Sequence, residues 1–290
     1  MADLRRKLAC YVLACIALPT YAQEPSYDGQ RWYDIEISIF TNEVPGGSRS
    51  ELPVAHKLTT AYLPRLRELQ PRSASFLIDF PGDELIDTLL TAQPVQQEVS
   101  VVPMGPIYSP AVRDGFRIAD FARDPFIDLD ARAAQFASMN RSIEAAPDHR
   151  VLWHKVWRQP LAGRAQTPAV FIGGGELRSG HYELEGSLRI VDNTPGAMLD
   201  INVWMNEFAT GEAVTAEEWN IPMLPFTPAN MTATPDTTSW KLSAVWQLAQ
   251  TRELAANQLY YLDHPAFGVL IQVRPYVLPP LNIIEDESDF

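Results

Sequence analysis

The stretch "RWYDIEISIFTN", Arg31–Asn42, decides how this chain of 290 residues is assembled. Tyr33, Ile35, Ile37 and Ile39 alternate with Asp34, Glu36 and Ser38. Period-two alternation of β-branched and polar residues predicts a strand with one buried face. The segments that follow read differently. Residues 55–70, "AHKLTTAYLPRLRELQ", space Leu58, Tyr62, Leu66 and Leu69 at helical intervals, with Pro64 as a break or kink. "PGDELIDTLLTAQ" (81–93) has Gly82 or Asp83 at a cap position and acids in its first turn, which predicts a short helix. "DLDARAAQFASMNRSIEAA" (128–146) puts Leu129, Ala133, Phe136, Met139 and Ile143 on one helical face. A lone strand among helices has no partner, so "WYDIEISIF" is expected to pair into a sheet supplied by the later chain.

That later chain is rich in strand patterns. They lie at 149–160, 181–193, 197–208, 213–224, 240–254, 257–263 and 267–276, with turn signals such as "GGGELRSG", "DNTPG" and "ATGEA" between most of them. Residues 225–239 form a long Pro/Thr loop, while "EVSVVPMGPIYSP" (98–110) is too rich in proline for a central strand. Helices early and strands late predict an α+β fold: a largely antiparallel β-sheet with helices concentrated in the N-terminal half. One α+β domain over 23–278 is expected, with a possible subdivision near 148 and an acidic, flexible tail at 279–290.

The N-terminus reads as a secretory signal. Arg5, Arg6 and Lys7 precede an apolar run from Leu8 to Leu18, and Thr20 and Ala22 supply small residues before a cleavage point after Ala22. The run is too short for a membrane span. A lipoprotein signal ending on Cys15 competes, but Leu13 is bulky for that pattern and the cut would split the apolar run. The chain has two cysteines, Cys10 and Cys15, both inside the signal. The mature protein therefore has no disulfide, cysteine nucleophile or thiolate metal site. Removing residues 1–22 takes away three basic residues and one acidic residue, moving the net charge from −13 to −15. Such a chain is not expected to bind nucleic acid through a general electrostatic field, and no later segment reaches transmembrane length.

Motifs for chemistry are sparse. The histidines form no H-x-x-x-H pair, and Asp124, Asp128 and Asp130 lack the glycine and closing glutamate of a calcium loop, so no metal and no cofactor are expected. There is no G-x-S-x-G elbow or S-x-x-K, and "GGG" at 173–175 reads as hairpin flexibility. A carboxylate pair for glycoside hydrolysis is harder to dismiss, because Glu183 and Glu185 alternate on one strand near Asp200 and Glu218. A solvated sheet face is the better explanation, because carboxylates are rarely buried. Aromatics are the richer signal. Trp153 and Trp157 share a strand face and flank His154 and Arg158, so Trp153, Trp157 and Arg158 are the candidates for stacking on a glycan. Trp204 pairs with Phe208, and Trp246 with Trp240, in patterns that suit a sheet core.

Asp263–His264 resembles the acid–base half of a catalytic triad. Its flanks say otherwise. Leu259–Leu262 and Val269–Val273 alternate on either side of "DHPAFG", and Pro265 holds His264 extended. Asp263, His264 and Pro265 are predicted to form the corner of a hairpin, and no catalytic residue is assigned.

"WYDIEISIF", "LWHKVWRQP", "YELEGSLRI" and "YYLDHPAFGVLIQVRPY" together, in this order, resemble the CsiV-like family of cell-shape-integrity, peptidoglycan-binding proteins of Gram-negative bacteria. The resemblance implies a periplasmic, non-enzymatic protein that supports cell-wall synthesis and cell shape. It implies peptidoglycan as ligand and the lipoprotein activator of a class A penicillin-binding protein as partner. It brings no catalytic residues with it. A cell-wall glycan hydrolase using a carboxylate pair and a protein-only periplasmic adaptor stand as alternatives. In an anionic protein, wall binding would rest on stacking and on local arginines such as Arg158, Arg164, Arg178 and Arg189.

Overall fold

The computed structural model describes residues 29–42, 58–71, 121–210, 219–227 and 240–279. In chain order its strands are β1 (Trp32–Thr41), β2 (Leu66–Arg67), β3 (Val151–Pro160), β4 (Ala169–Arg178), β5 (His181–Asn193), β6 (Gly196–Thr210), β7 (Trp240–Leu254), β8 (Leu259–Asp263) and β9 (Phe267–Tyr276). The one α-helix among the described residues is α1, Ala137–Glu144. Two sheets result, in the orders β3-β1-β9-β8 and β2-β4-β5-β6-β7, antiparallel throughout except for the short β2–β4 pair. No helix among the described residues is long and apolar enough to cross a membrane.

The expected α+β class is therefore corrected: the fold is a mostly β, two-sheet structure, and helices are not concentrated in the N-terminal half. Residues 58–71 run extended, not helical, and place Tyr62 against Phe171 and Trp204 on the outside of the five-stranded sheet. The apolar spacing there reflects successive contacts along a sheet face, and Pro64 followed by Arg65 at φ 57 prevents a helix. Within 128–146 only Ala137–Glu144 is α-helical; Asp130 caps a separate 3₁₀ turn at Ala131–Ala133. The helix expected at 81–93, the segment 98–110, the signal and the tail beyond 279 lie outside the described residues.

β1 pairs into the later chain, lying between β3 and β9 with registers Ile35↔Trp157 and Ile35↔Val273. Its odd-numbered residues join one core with Trp153 and Trp157 of β3, Val269, Ile271 and Val273 of β9, and Leu188, Leu199, Ile201 and Val203 of the facing sheet. Apolar faces of two sheets close on each other, which is the usual way such faces leave water. The polar face of β1 is not solvated as its alternation predicts. Glu36 and Ser38 are fully buried, because residues 121–149 fold back over them. Glu36 accepts from the backbone N–H groups of Gln135 and Phe136, both 2.8 Å at their shorter contacts, and meets His154 Nε2 at 3.0 Å and Arg274 Nη1 at 3.3 Å. A strand carboxylate thus serves the N-terminal end of α1, whose own cap residue, Phe136, has no side-chain acceptor.

Glycines shape the contact between the sheets. "GGG" 173–175 lies in β4, not in a turn. A side chain at Gly174 would run into the Leu152 carbonyl, so glycine lets β4 pass close to β3. The turn itself is Ser179–Gly180, both at positive φ, as a two-residue hairpin of this hand requires. Gly186, at φ 147, sits in β5 between Ile172 and Val203. Gly186→Ala is expected to lower the unfolding free energy by about 1–3 kcal/mol through backbone strain. An unshifted urea midpoint would contradict this.

Candidate functional site

Trp153 and Trp157 sit inside the sandwich, 7% and 0% exposed, with their rings edge-on at 6.4 Å. Neither indole offers a face to a sugar. Trp157 Nε1 donates to Gln159 Oε1 at 2.8 Å, and Gln159 Nε2 donates to the Ile190 carbonyl at 3.0 Å, so this pair ties β3 to the facing sheet. Arg158 is also engaged. It holds Asp34 through Nε at 2.7 Å and Nη2 at 3.2 Å while its guanidinium lies 3.2 Å from the centre of the Tyr276 ring. Trp204 and Trp246 are buried as well.

Asp263, His264 and Pro265 occupy the β8–β9 turn, with Asp263↔Gly268 as the last pair of the hairpin. Asp263 accepts from the Tyr261 hydroxyl at 2.8 Å. His264 Nδ1 accepts from the Ala266 N–H at 3.2 Å, and its ring stacks on Phe267 at 4.6 Å. The two side chains serve different neighbours, which suits a hairpin corner and not an acid–base relay.

The carboxylates suggested as a hydrolytic pair take separate environments. Glu185 is fully buried and accepts from the Tyr182 N–H at 2.7 Å, with His181 Nδ1 at 3.2 Å. Asp200 binds Arg164 at 2.7 Å and Thr251 at 2.9 Å; Glu218 lies outside the described residues. Glu183 turns to Arg150, accepting from Nη1 at 2.9 Å and Nη2 at 3.0 Å, and takes the Glu176 N–H at 2.8 Å. Burial would raise its carboxyl, but those donors and the positive charges of Arg150 and Arg178 outweigh it and hold the group below its ordinary value. A general acid needs the opposite shift.

Glu183 belongs to a cleft of about 450 Å³. Here the ends of β1, β4 and β6 meet the starts of β3, β5 and β7 at one end of the sandwich. Core residues Leu152 and Met205 reach its floor. Trp240 and Phe208 provide aromatic wall, and Arg150, Arg178, Glu183 and Glu207 provide charge of both signs. The Arg178 guanidinium lies 3.7 Å from the centre of the Trp240 ring and pairs with Glu176, which fixes both the ring and the cation. Ser179 Oγ donates to the Trp240 carbonyl at 2.7 Å, anchoring the start of β7 to the β4–β5 turn.

Sequence reasoning named several of these side chains without bringing them together. Arg178 was a local arginine, Glu183 half of a carboxylate pair, and Trp240 and Phe208 core aromatics. Arg150 was missed. Its signal was positional: it stands at the start of the strand expected at 149–160, and the ends of successive antiparallel strands gather at one edge. Of the other arginines singled out, Arg164 is held by Asp200, and Arg189 is buried and donates to the Pro64 carbonyl.

The model of one protein family, described as "Peptidoglycan-binding protein, CsiV", matches residues 7–276. Comparison with curated proteins and with solved structures returns no match.

Proposed function

We propose, from the premise that the chain belongs to the CsiV family of peptidoglycan-binding proteins, that it is a periplasmic, non-catalytic accessory protein that holds peptidoglycan in the cleft at the end of its sandwich. The observation that carries the site is the stacking of Arg178 on Trp240 in a lining shared with Arg150, around a concave space of about 450 Å³. Aromatic surface meets the apolar face of a sugar ring, and guanidinium groups meet its acidic substituents. This offers local recognition in a protein whose net charge, −13, disfavours a polyanionic polymer overall.

The periplasmic part rests on the signal pattern of residues 1–22, and fractionation of cells producing the chain tests it. The non-catalytic part is supported by Glu183 being held ionised by its donors and by Glu185 being enclosed. Release of muropeptides from sacculi by the purified protein would overturn it. The lipoprotein activator of a class A penicillin-binding protein is the proposed partner, and a basic face on it would complement this acidic chain. Failure of the purified pair to co-elute at low salt would remove that partner from the proposal.

Trp240→Ala is expected to weaken co-sedimentation with purified sacculi by about three- to tenfold, the value of one aromatic contact. The ring is at the cleft wall and not in the core, so the thermal unfolding transition should persist. Undiminished sedimentation would move the site elsewhere.

A further inference from the structure

We propose that the cleft recognises the peptide of peptidoglycan through a free carboxylate, with Arg150 as the binding fork and Glu183 as an internal counter-ion that the ligand replaces. This deepens the peptidoglycan-binding reading and rests on it.

Three observations carry the inference. Arg150 meets Glu183 with two parallel N–H···O contacts, 2.9 and 3.0 Å, the arrangement in which a guanidinium best accepts any carboxylate. The Arg150 side chain is 46% exposed and Glu183 19%, so the fork opens to solvent with its present carboxylate on the inner side. A third donor, the Glu176 N–H, points at the same Oε2 at 2.8 Å. The site is therefore a set of donors arranged around a carboxylate, and the protein fills it with its own.

The remaining charges select among the parts of the polymer. Arg150 and Arg178 stand against Glu183 and Glu207 along one cleft. A lining of equal and opposite charge suits a ligand carrying both an amino and a carboxyl group, and it gives a neutral sugar little to bind. In peptidoglycan the backbone sugars are uncharged once the lactyl acid is joined to peptide. Free carboxylates and amines belong to the short peptides. Trp240 and Phe208 then cover the apolar part of the peptide or of the attached sugar.

The test measures calorimetric binding of two probes to the purified chain: disaccharide–peptides released from sacculi by a muramidase, and uncharged N-acetylglucosamine oligomers as peptide-free glycan. Disaccharide–peptide is expected to bind at least tenfold more tightly than peptide-free glycan. Methyl esterification of its carboxylates should cost at least tenfold, as should Arg150→Ala. Arg150→Lys, which keeps the charge and loses the fork, should also weaken binding, and it covers the case in which the alanine variant fails to fold. Glu183→Gln should bind disaccharide–peptide at least threefold more tightly, because the competing carboxylate is gone. Equal binding of the two probes, no binding of either by a chain that still sediments with sacculi, indifference to esterification or to both arginine changes, or weaker binding by Glu183→Gln would each overturn the proposal while leaving peptidoglycan binding intact. Absence of any sedimentation with sacculi would instead sink the reading beneath it.

Discussion

Trp157→Ala is expected to lower the unfolding free energy by about 3–5 kcal/mol, the range for deleting a fully buried large aromatic side chain. The residue has no exposed surface and lies where β3 faces the second sheet. Its loss leaves a cavity between Ile35, its register partner, and Trp153, its ring neighbour. It also removes the donor to Gln159 Oε1, so a buried acceptor loses its partner in addition to the lost packing. Trp157→Phe should be milder, at about 1–2 kcal/mol, because most of the ring volume returns while the hydrogen bond does not. Urea unfolding followed by far-ultraviolet circular dichroism measures both without depending on the indole. Whatever fraction of the alanine variant remains folded should sediment with sacculi like the parent. Normal stability with lost sedimentation would restore this indole as a glycan contact.

How much of this could be read beforehand varies with the range of the interaction. The alternation in β1 and β9 was legible because a strand facing a core shows its burial residue by residue. So was the corner at Asp263–Pro265, set by local turn chemistry. What covers a strand is not local. Glu36 and Ser38 look solvated in sequence, and their burial depends on residues some hundred positions later folding back across β1. The helical spacing in 58–69 misled for a similar reason: Tyr62 and Leu66 are apolar because they meet Phe171 and Ala169, and those contacts leave the same spacing that a helix face would. The candidate cleft was the least legible part. Its residue types were visible, but Arg150, Glu183, Phe208 and Trp240 come from four strand termini, and only the topology makes them neighbours. Trp153 and Trp157 looked more promising because they are adjacent in sequence. Two aromatics on the inward face of β3 are what a core requires.

Glu36→Gln is expected to cost about 3–5 kcal/mol at neutral pH, the scale for removing one partner of a buried charged pair. Glu36 is enclosed and every group facing it brings a donor or a positive charge: the Gln135 and Phe136 N–H groups, His154 and Arg274. An amide there turns one acceptor into a donor pointing at other donors, and α1 loses the negative charge at its N-terminal end. The pH dependence follows with a definite sign. Burial alone would raise the Glu36 carboxyl, but the hydrogen bonds with His154, Gln135 and Phe136 and the charge of Arg274 outweigh it and hold it below its ordinary value. A carboxyl lower in the folded state than in the unfolded one binds its proton first in the unfolded chain. Its stabilisation is complete above the unfolded value of about 4.3 and disappears as the pH falls through the folded one. Glu183 is shifted the same way, whereas burial raises Glu68, which works in the opposite direction. The Glu36 contribution is therefore read as the difference between the parent and Glu36→Gln, measured by urea unfolding from pH 7 down to pH 3. That difference should be constant at first and then shrink below about pH 5. A difference that stays constant to pH 3 would show that the charge on Glu36 does not hold residues 121–149 against the sheet.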